Sequence, residues 1–114
     1  MLMRFNFWLL LVLLALSLPS FGETLDELEY RKGMYYRINS GTPYTGQVDG
    51  KHQGLLINGI REGAWISHWR NGEVSSQGSY QNGKKDGFWN GYTKDGAVDV
   101  RLTGTYKNGV KIID

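Results

Sequence analysis

The chain has 114 residues, a net charge of +2 and no cysteine. That length admits one domain, and 13 basic against 11 acidic side chains leave no field to hold nucleic acid or anionic lipid at long range. The missing thiols exclude disulfides and a lipid-modified cysteine, so stability must come from packing and strand pairing.

The first segment, "MLMRFNFWLLLVLLALSLPSFG", carries one positive charge at Arg4, an apolar run from Trp8 to Leu16 extended by Ser17 and Leu18, and a break at Pro19. That is the form of a secretory signal peptide over residues 1–22. Ser20 and Gly22 fit the small positions before a cut after Gly22, and a cut after Ser17 is the rival. The alternative is a retained membrane anchor, because Phe5 to Leu18 approaches the lower limit of a spanning helix. Removing the segment takes away Arg4 alone and leaves 12 basic against 11 acidic side chains. The remainder is expected outside the cytoplasm, periplasmic or secreted. Residues 23–52 form an N-terminal segment whose one helical stretch is the short "TLDELEYR" (24–31), with Leu25 and Leu28 on one side.

From residue 53 onward the sequence repeats. "QGLLINGIREGAW" (53–65) matches "QGSYQNGKKDGFW" (77–89) at an offset of 24, and "TGTYKNG" (103–109) begins a partial third copy at an offset of 26. Each copy holds an Asn-Gly at 58, 82 or 108 and a second turn signal at Asn71-Gly72 or Asp95-Gly96. Glycine accepts the positive φ of a tight hairpin turn, and Asn or Asp shares it best. The period therefore encodes two strands.

Two-residue turns at Asn82-Gly83 and Asp95-Gly96 set Tyr80 opposite Lys85, Gly78 opposite Gly87, Trp89 opposite Leu102, Gly91 opposite Val100 and Thr93 opposite Val98. The turn at Asn71-Gly72 sets Trp65 opposite Gly78 and Trp69 opposite Val74. Cross-strand partners share a face. One face is then expected to collect Leu56, Trp65, Trp69, Val74, Tyr80, Trp89, Val98, Val100, Leu102 and Tyr106. Ser75, Gln77, Ser79, Gln81, Asn90, Asp99, Arg101, Thr103, Thr105 and Lys107 fall on the other.

The units "GAWISHWRNG" (63–72), "GSYQNG" (78–83), "GFWNGYTKDG" (87–96) and "GTYKNG" (104–109) resemble the bacterial variant of the MORN-repeat superfamily over residues 53–111. "MYYRINSGTPYTGQVDG" (34–50) looks like the hairpin that precedes such repeats. The chain departs from the pattern at His68, where Tyr is usual, and in the longer segment 97–104. The resemblance implies repeated β-hairpins. It also carries a label common among such bacterial proteins, antitoxin of a toxin–antitoxin system. A cytoplasmic antitoxin has no need of a signal peptide, so here the label implies an immunity-like or scaffold protein acting outside the cytoplasm.

Catalytic chemistry finds little support in these residues. His52 and His68 belong to no recognisable Ser and Asp arrangement and to no metal-ligand spacing. Glu62 and Asp86 occupy equivalent positions, which invites an acid and base pair as in glycoside hydrolysis. A residue reused in each copy serves the copy, and they read as charged partners of Arg61, Lys84 and Lys85. In "NGKKDGFW" (82–89) no helix is expected after the glycines, which favours a turn and strand over a phosphate loop.

The expectation is an all-β fold, a single-layer antiparallel meander of about seven or eight strands over residues 53–114 and the preceding hairpin, with a short N-terminal helix at most. The expected function is non-catalytic binding, with no cofactor and no metal. Trp65, Trp69, Tyr80, Trp89 and Tyr106 are the candidate partner-binding face if nothing covers them. If they are covered, they are the core of the domain. The expected partner is another protein, met through that face or through the open strand edge in "GVKIID" (109–114), where self-association is also open. The alternative is a glycan-binding envelope protein stacking sugars on the same rings, whose enzymatic version would rest on Glu62, Asp86 or Asp99. Contact with a membrane is expected only through an uncleaved N-terminal segment.

Overall fold

The computed structural model describes residues 22–112, and the expected signal peptide lies outside them except for Gly22. The strands in chain order are β1 (Glu23–Thr24), β2 (Leu28–Arg31), β3 (Met34–Arg37), β4 (Gly46–Asp49), β5 (His52–Ile57), β6 (Ile60–His68), β7 (Val74–Gln81), β8 (Lys84–Gly91), β9 (Gly104–Lys107) and β10 (Val110–Lys111). Eight of them form one sheet in the order β1-β4-β5-β6-β7-β8-β9-β10, and β2 and β3 form a separate hairpin. The fold is all-β as expected. It departs from a single-layer antiparallel meander at two places: β1 runs parallel to β4, and the β2–β3 hairpin leaves the sheet to pack on it.

The helix expected over 24–31 shrinks to one 3-10 turn at Leu25–Glu27, held by the Thr24 N–H donating to Glu27 Oε1 at 2.9 Å. Leu28 onward turns extended because Lys32-Gly33 is itself a tight turn, with φ of 49° and 82°, that pairs β2 with β3. Lys-Gly is a weaker turn signal than Asn-Gly, and the Leu spacing masked it.

Two kinds of turn alternate along the sheet. Asn58-Gly59, Asn82-Gly83 and Asn108-Gly109 all have both residues at positive φ, the two-residue turn that matches strand twist. At Asn71-Gly72 and Asp95-Gly96 only the glycine is at positive φ. There the Gly72 N–H donates to Trp69 O at 2.9 Å and the Trp69 N–H to Glu73 O at 2.7 Å. Thr93, Gly96 and Ala97 repeat this arrangement. These are three-residue loops closed by a glycine bulge, not the two-residue turns expected, so His68 rather than Trp69 pairs with Val74.

A second irregularity corrects the register further. On β6, Gly63, Ala64 and Trp65 together stand across from the single Gly54, and on β8 Gly87, Phe88 and Trp89 stand across from Gly78. Gly63 and Gly87, at φ 70° and 81°, make the bulges. Gly78 therefore has no one-to-one partner in Gly87, which pairs with Tyr106 on its other side, and Trp89 pairs with Gly104 instead of Leu102. Each bulge adds two residues, so parity survives and the indoles stay on the expected face.

The longer segment 97–104 is not the expected strand. After the Tyr92↔Val98 bridge, the Asp99 carbonyl accepts the N–H of Leu102 at 3.2 Å and of Thr103 at 2.9 Å, and its Oδ1 accepts the Arg101 N–H at 3.0 Å. Asp offers the backbone a turn that competes with the ladder. Asp99 is consequently buried, while Val98, Val100 and Leu102, expected to face inward, are exposed.

The core is one cluster of Leu28, Tyr44, Val48, Leu56, Trp65, Trp89 and Tyr106, with Leu25, Tyr35 and Tyr80 packed against it. Residues 23–45 thus cover the early end of the ring-bearing face. The β2–β3 hairpin is fastened there by the Tyr35 N–H donating to Gly59 O at 2.9 Å, and the following segment by the Gly59 N–H donating to Tyr44 O at 2.7 Å.

Candidate binding surfaces

The repeated rings form a ladder with edge-to-face geometry. Trp65 and Tyr80 have centroids 6.2 Å apart, and Tyr80 and Trp89 4.9 Å. Two cations at equivalent repeat positions lie on top. Arg61 sits 5.1 Å from the Trp65 ring and 5.4 Å from Tyr80, and its guanidinium donates to the hydroxyls of Tyr80 at 3.2 Å and Tyr35 at 3.3 Å. Lys85 lies 4.8 Å over Trp89 and 5.0 Å over Tyr106, where burial first and the nearby Arg61 charge second pull its pKa down. The indole N–H groups are satisfied internally, Trp65 on Leu55 O at 3.1 Å and Trp89 on Ser79 O at 2.9 Å.

Trp65 and Trp89 keep only 3% of their surface and Tyr106 8%. Rings so enclosed are core, and a partner cannot lie on them. Of the five candidate face residues, Trp69 and Tyr80 stay half-buried. Trp69 lies apart from the ladder, donating to Tyr92 O at 3.1 Å with Lys94 at 5.7 Å from its ring. It borders a hollow of about 580 Å³ lined also by Asp26, Lys51, Gln53, His68 and Arg70.

Two of the acidic candidates, Glu62 and Asp99, bond to backbone N–H groups. Glu62 Oε1 accepts the Asn82 N–H at 2.7 Å, tying one copy's strand to the next copy's turn. Asp86 is two strands away, with β7 between, so the two carboxylates do not face each other. The ion pairs among the described residues join Arg31 to Glu29, Arg37 to Glu23 and Arg101 to Asp99, which leaves out the pairs expected for Glu62 and Asp86. Hydrogen bonds from the Arg101 side chain and N–H hold Asp99 below the usual carboxylate range.

No local pattern announces that His52 and Ser67, 15 residues apart, meet. Their registered strands bring His52 Nδ1 to 2.8 Å from Ser67 Oγ. Burial, then the charges of Arg61 and Lys51, push the imidazole pKa down. Among the described residues no group of three or more metal-ligating side chains converges, and no helix is long and apolar enough to cross a membrane.

The other face of the sheet carries a groove of about 410 Å³ whose side chains include Gln53, Ile66, Gln77, Ser79, Phe88 and Asn90. Four of these stand in one row across the strands, as Gln53 pairs with Ile66, Ile66 with Gln77 and Gln77 with Asn90. The recurrence of Gln53 as Gln77 was the available signal. Comparison of the chain with family models, with curated proteins and with solved structures returned no match.

Proposed function

We propose that the chain is a non-catalytic, exported binding module that engages another protein by adding the partner's strand to the open edge of its sheet at β10. The observation that carries this reading is a group of exposed apolar side chains around that edge. Val110 is 68% exposed, Ile112 44%, Val100 76% and Leu102 43%. They border the edge from both sides: Val110 and Ile112 alternate with Lys111, which shares a face with Tyr106 and whose Nζ donates to Val100 O at 3.0 Å, drawing the 97–104 loop against β10.

The backbone is arranged for the same purpose. Val110 pairs with Lys107 across the tight turn, and the Ile112 N–H donates to Thr105 O at 2.7 Å. By the alternation of an antiparallel ladder, the Lys111 N–H then points away from β9 and is free for an incoming strand. Such pairing supplies main-chain hydrogen bonds, and the flanking Val and Ile side chains supply apolar contact. Export rests on the form of residues 1–22, and an immunity-like role is what the resemblance to bacterial MORN-repeat variants adds.

The test is a photo-reactive residue placed at Val110 and, separately, at exposed Gln47 on β4. A discrete adduct from position 110, absent from position 47 and lost on Lys111→Pro, is the expected result. Proline at that position removes the outward N–H and leaves the internal ladder intact. An adduct of two copies of this chain would make the partner a second copy. No adduct, or equal labelling from Gln47, would sink the reading.

A further inference from the structure

We propose that the groove on the face opposite the indoles binds an extended, neutral β-1,4-linked glycan lying across the strands. This site is separate from the β10 edge and does not depend on it. The chain carries 13 basic and 11 acidic side chains, yet none of them lines the groove. An anionic ligand such as a phosphate or a nucleic acid would meet no cation there.

The lining offers amides instead. Gln53, Gln77 and Asn90 stand on β5, β7 and β8 in one registered row. Each amide both donates and accepts, as a sugar hydroxyl does. Gln53 Nε2 is already engaged with Gly50 O at 3.0 Å, which leaves its second N–H and its carbonyl oxygen. The side-chain amides of Gln77 and Asn90 bond to none of the described residues.

Apolar surface alternates with these groups. Phe88, 56% exposed, lies two residues from Asn90 on the same face of β8, and Ile66 stands between the two glutamines. The apolar faces of sugar rings stack on such side chains. Ala64, Gly78 and Ser79 leave the floor low enough for a chain to settle.

Spacing selects the linkage. Gln53 and Gln77 are repeat equivalents two strands apart, a distance of about 10 Å across the sheet. An extended β-1,4-linked chain presents the same groups once per disaccharide, at a similar interval, whereas an α-1,4-linked chain coils and loses that register. A peptide is the poorer fit. Its backbone needs N–H and C=O partners, and a sheet face presents only side chains.

The experiment titrates the purified chain with cellohexaose and with maltohexaose, following the side-chain amide resonances of Gln77 and Asn90 by NMR. Cellohexaose should shift both, and maltohexaose should bind at least about tenfold more weakly. Gln77→Ala and Phe88→Ala alter exposed side chains and should leave the fold unchanged by circular dichroism. Each should weaken cellohexaose binding roughly fivefold or more. Absence of any shift, equal affinity for the two sugars, or full affinity in both variants would overturn the proposal. So would shifts confined to the Trp69 hollow.

Discussion

A methyl group added at Gly54 or Gly78 would overlap the indole that lies across it, Trp65 or Trp89. These glycines are therefore sockets, and the recurrence of Gly and Trp at one spacing is a repeated ring-in-socket joint. Gly78→Ala should cost about 1–3 kcal/mol, the range for forcing atoms into a packed core, read as a lowered urea midpoint at unchanged slope. An unchanged midpoint would mean that the ring moves aside freely. The sequence showed both glycines and both rings and paired Trp65 with Gly78 correctly, but it set Gly78 against Gly87 and Trp89 against Leu102. A two-residue bulge keeps every side chain on its expected side, so hydrophobic alternation cannot reveal it.

At the scale of the strands, registration creates contacts that spacing does not announce. The His52–Ser67 bond joins β5 to β6 through a ring that burial keeps from its proton. The imidazole pKa is lower in the folded chain than its ordinary 6.5. Below pH 6.5 the unfolded chain therefore takes up a proton that the folded chain refuses, and stability falls as the pH drops through the lowered folded value. Chemical denaturation on either side of pH 6.5 should show that decline, and His52→Asn should flatten it. A slope unchanged by His52→Asn would assign it to other groups. Strand existence and turn positions were legible here, because Asn-Gly pairs are local signals. The 97–104 loop was not, because Asp99 chose a capped turn over a ladder that Val98, Val100 and Leu102 would equally well have joined.

For the whole molecule, the decisive contact is between residues 23–45 and the first copy of the repeat. A repeat sheet buries each ring against its neighbour, and its first copy needs a cap. Leu28 and Tyr44 supply it, closing the cluster that continues through Leu56 and Trp65. Leu28→Ala should cost about 2–5 kcal/mol and should expose Trp65, seen as a loss of stability together with a red-shifted indole emission. If stability fell with no change in emission, the cap would not be what shields that ring. At the far end Val100, Val110 and Ile112 stay exposed, which is the asymmetry on which the proposed partner contact depends.

The sequence by itself determined the two-strand period, the tight turns at Asn58, Asn82 and Asn108, and the side of the sheet on which the indoles lie. All of these are set within a few residues, by positive-φ preference and by alternation. Only the tertiary structure decided that Arg61, Lys85 and the N-terminal hairpin enclose the rings, so that Trp65, Trp89 and Tyr106 are core. It likewise decided that Gln77 and Asn90, already expected on the second face, stand in one row with Gln53. Coverage and cross-strand rows depend on which distant segments pack together and on bulges that preserve parity, and neither leaves a trace in local pattern.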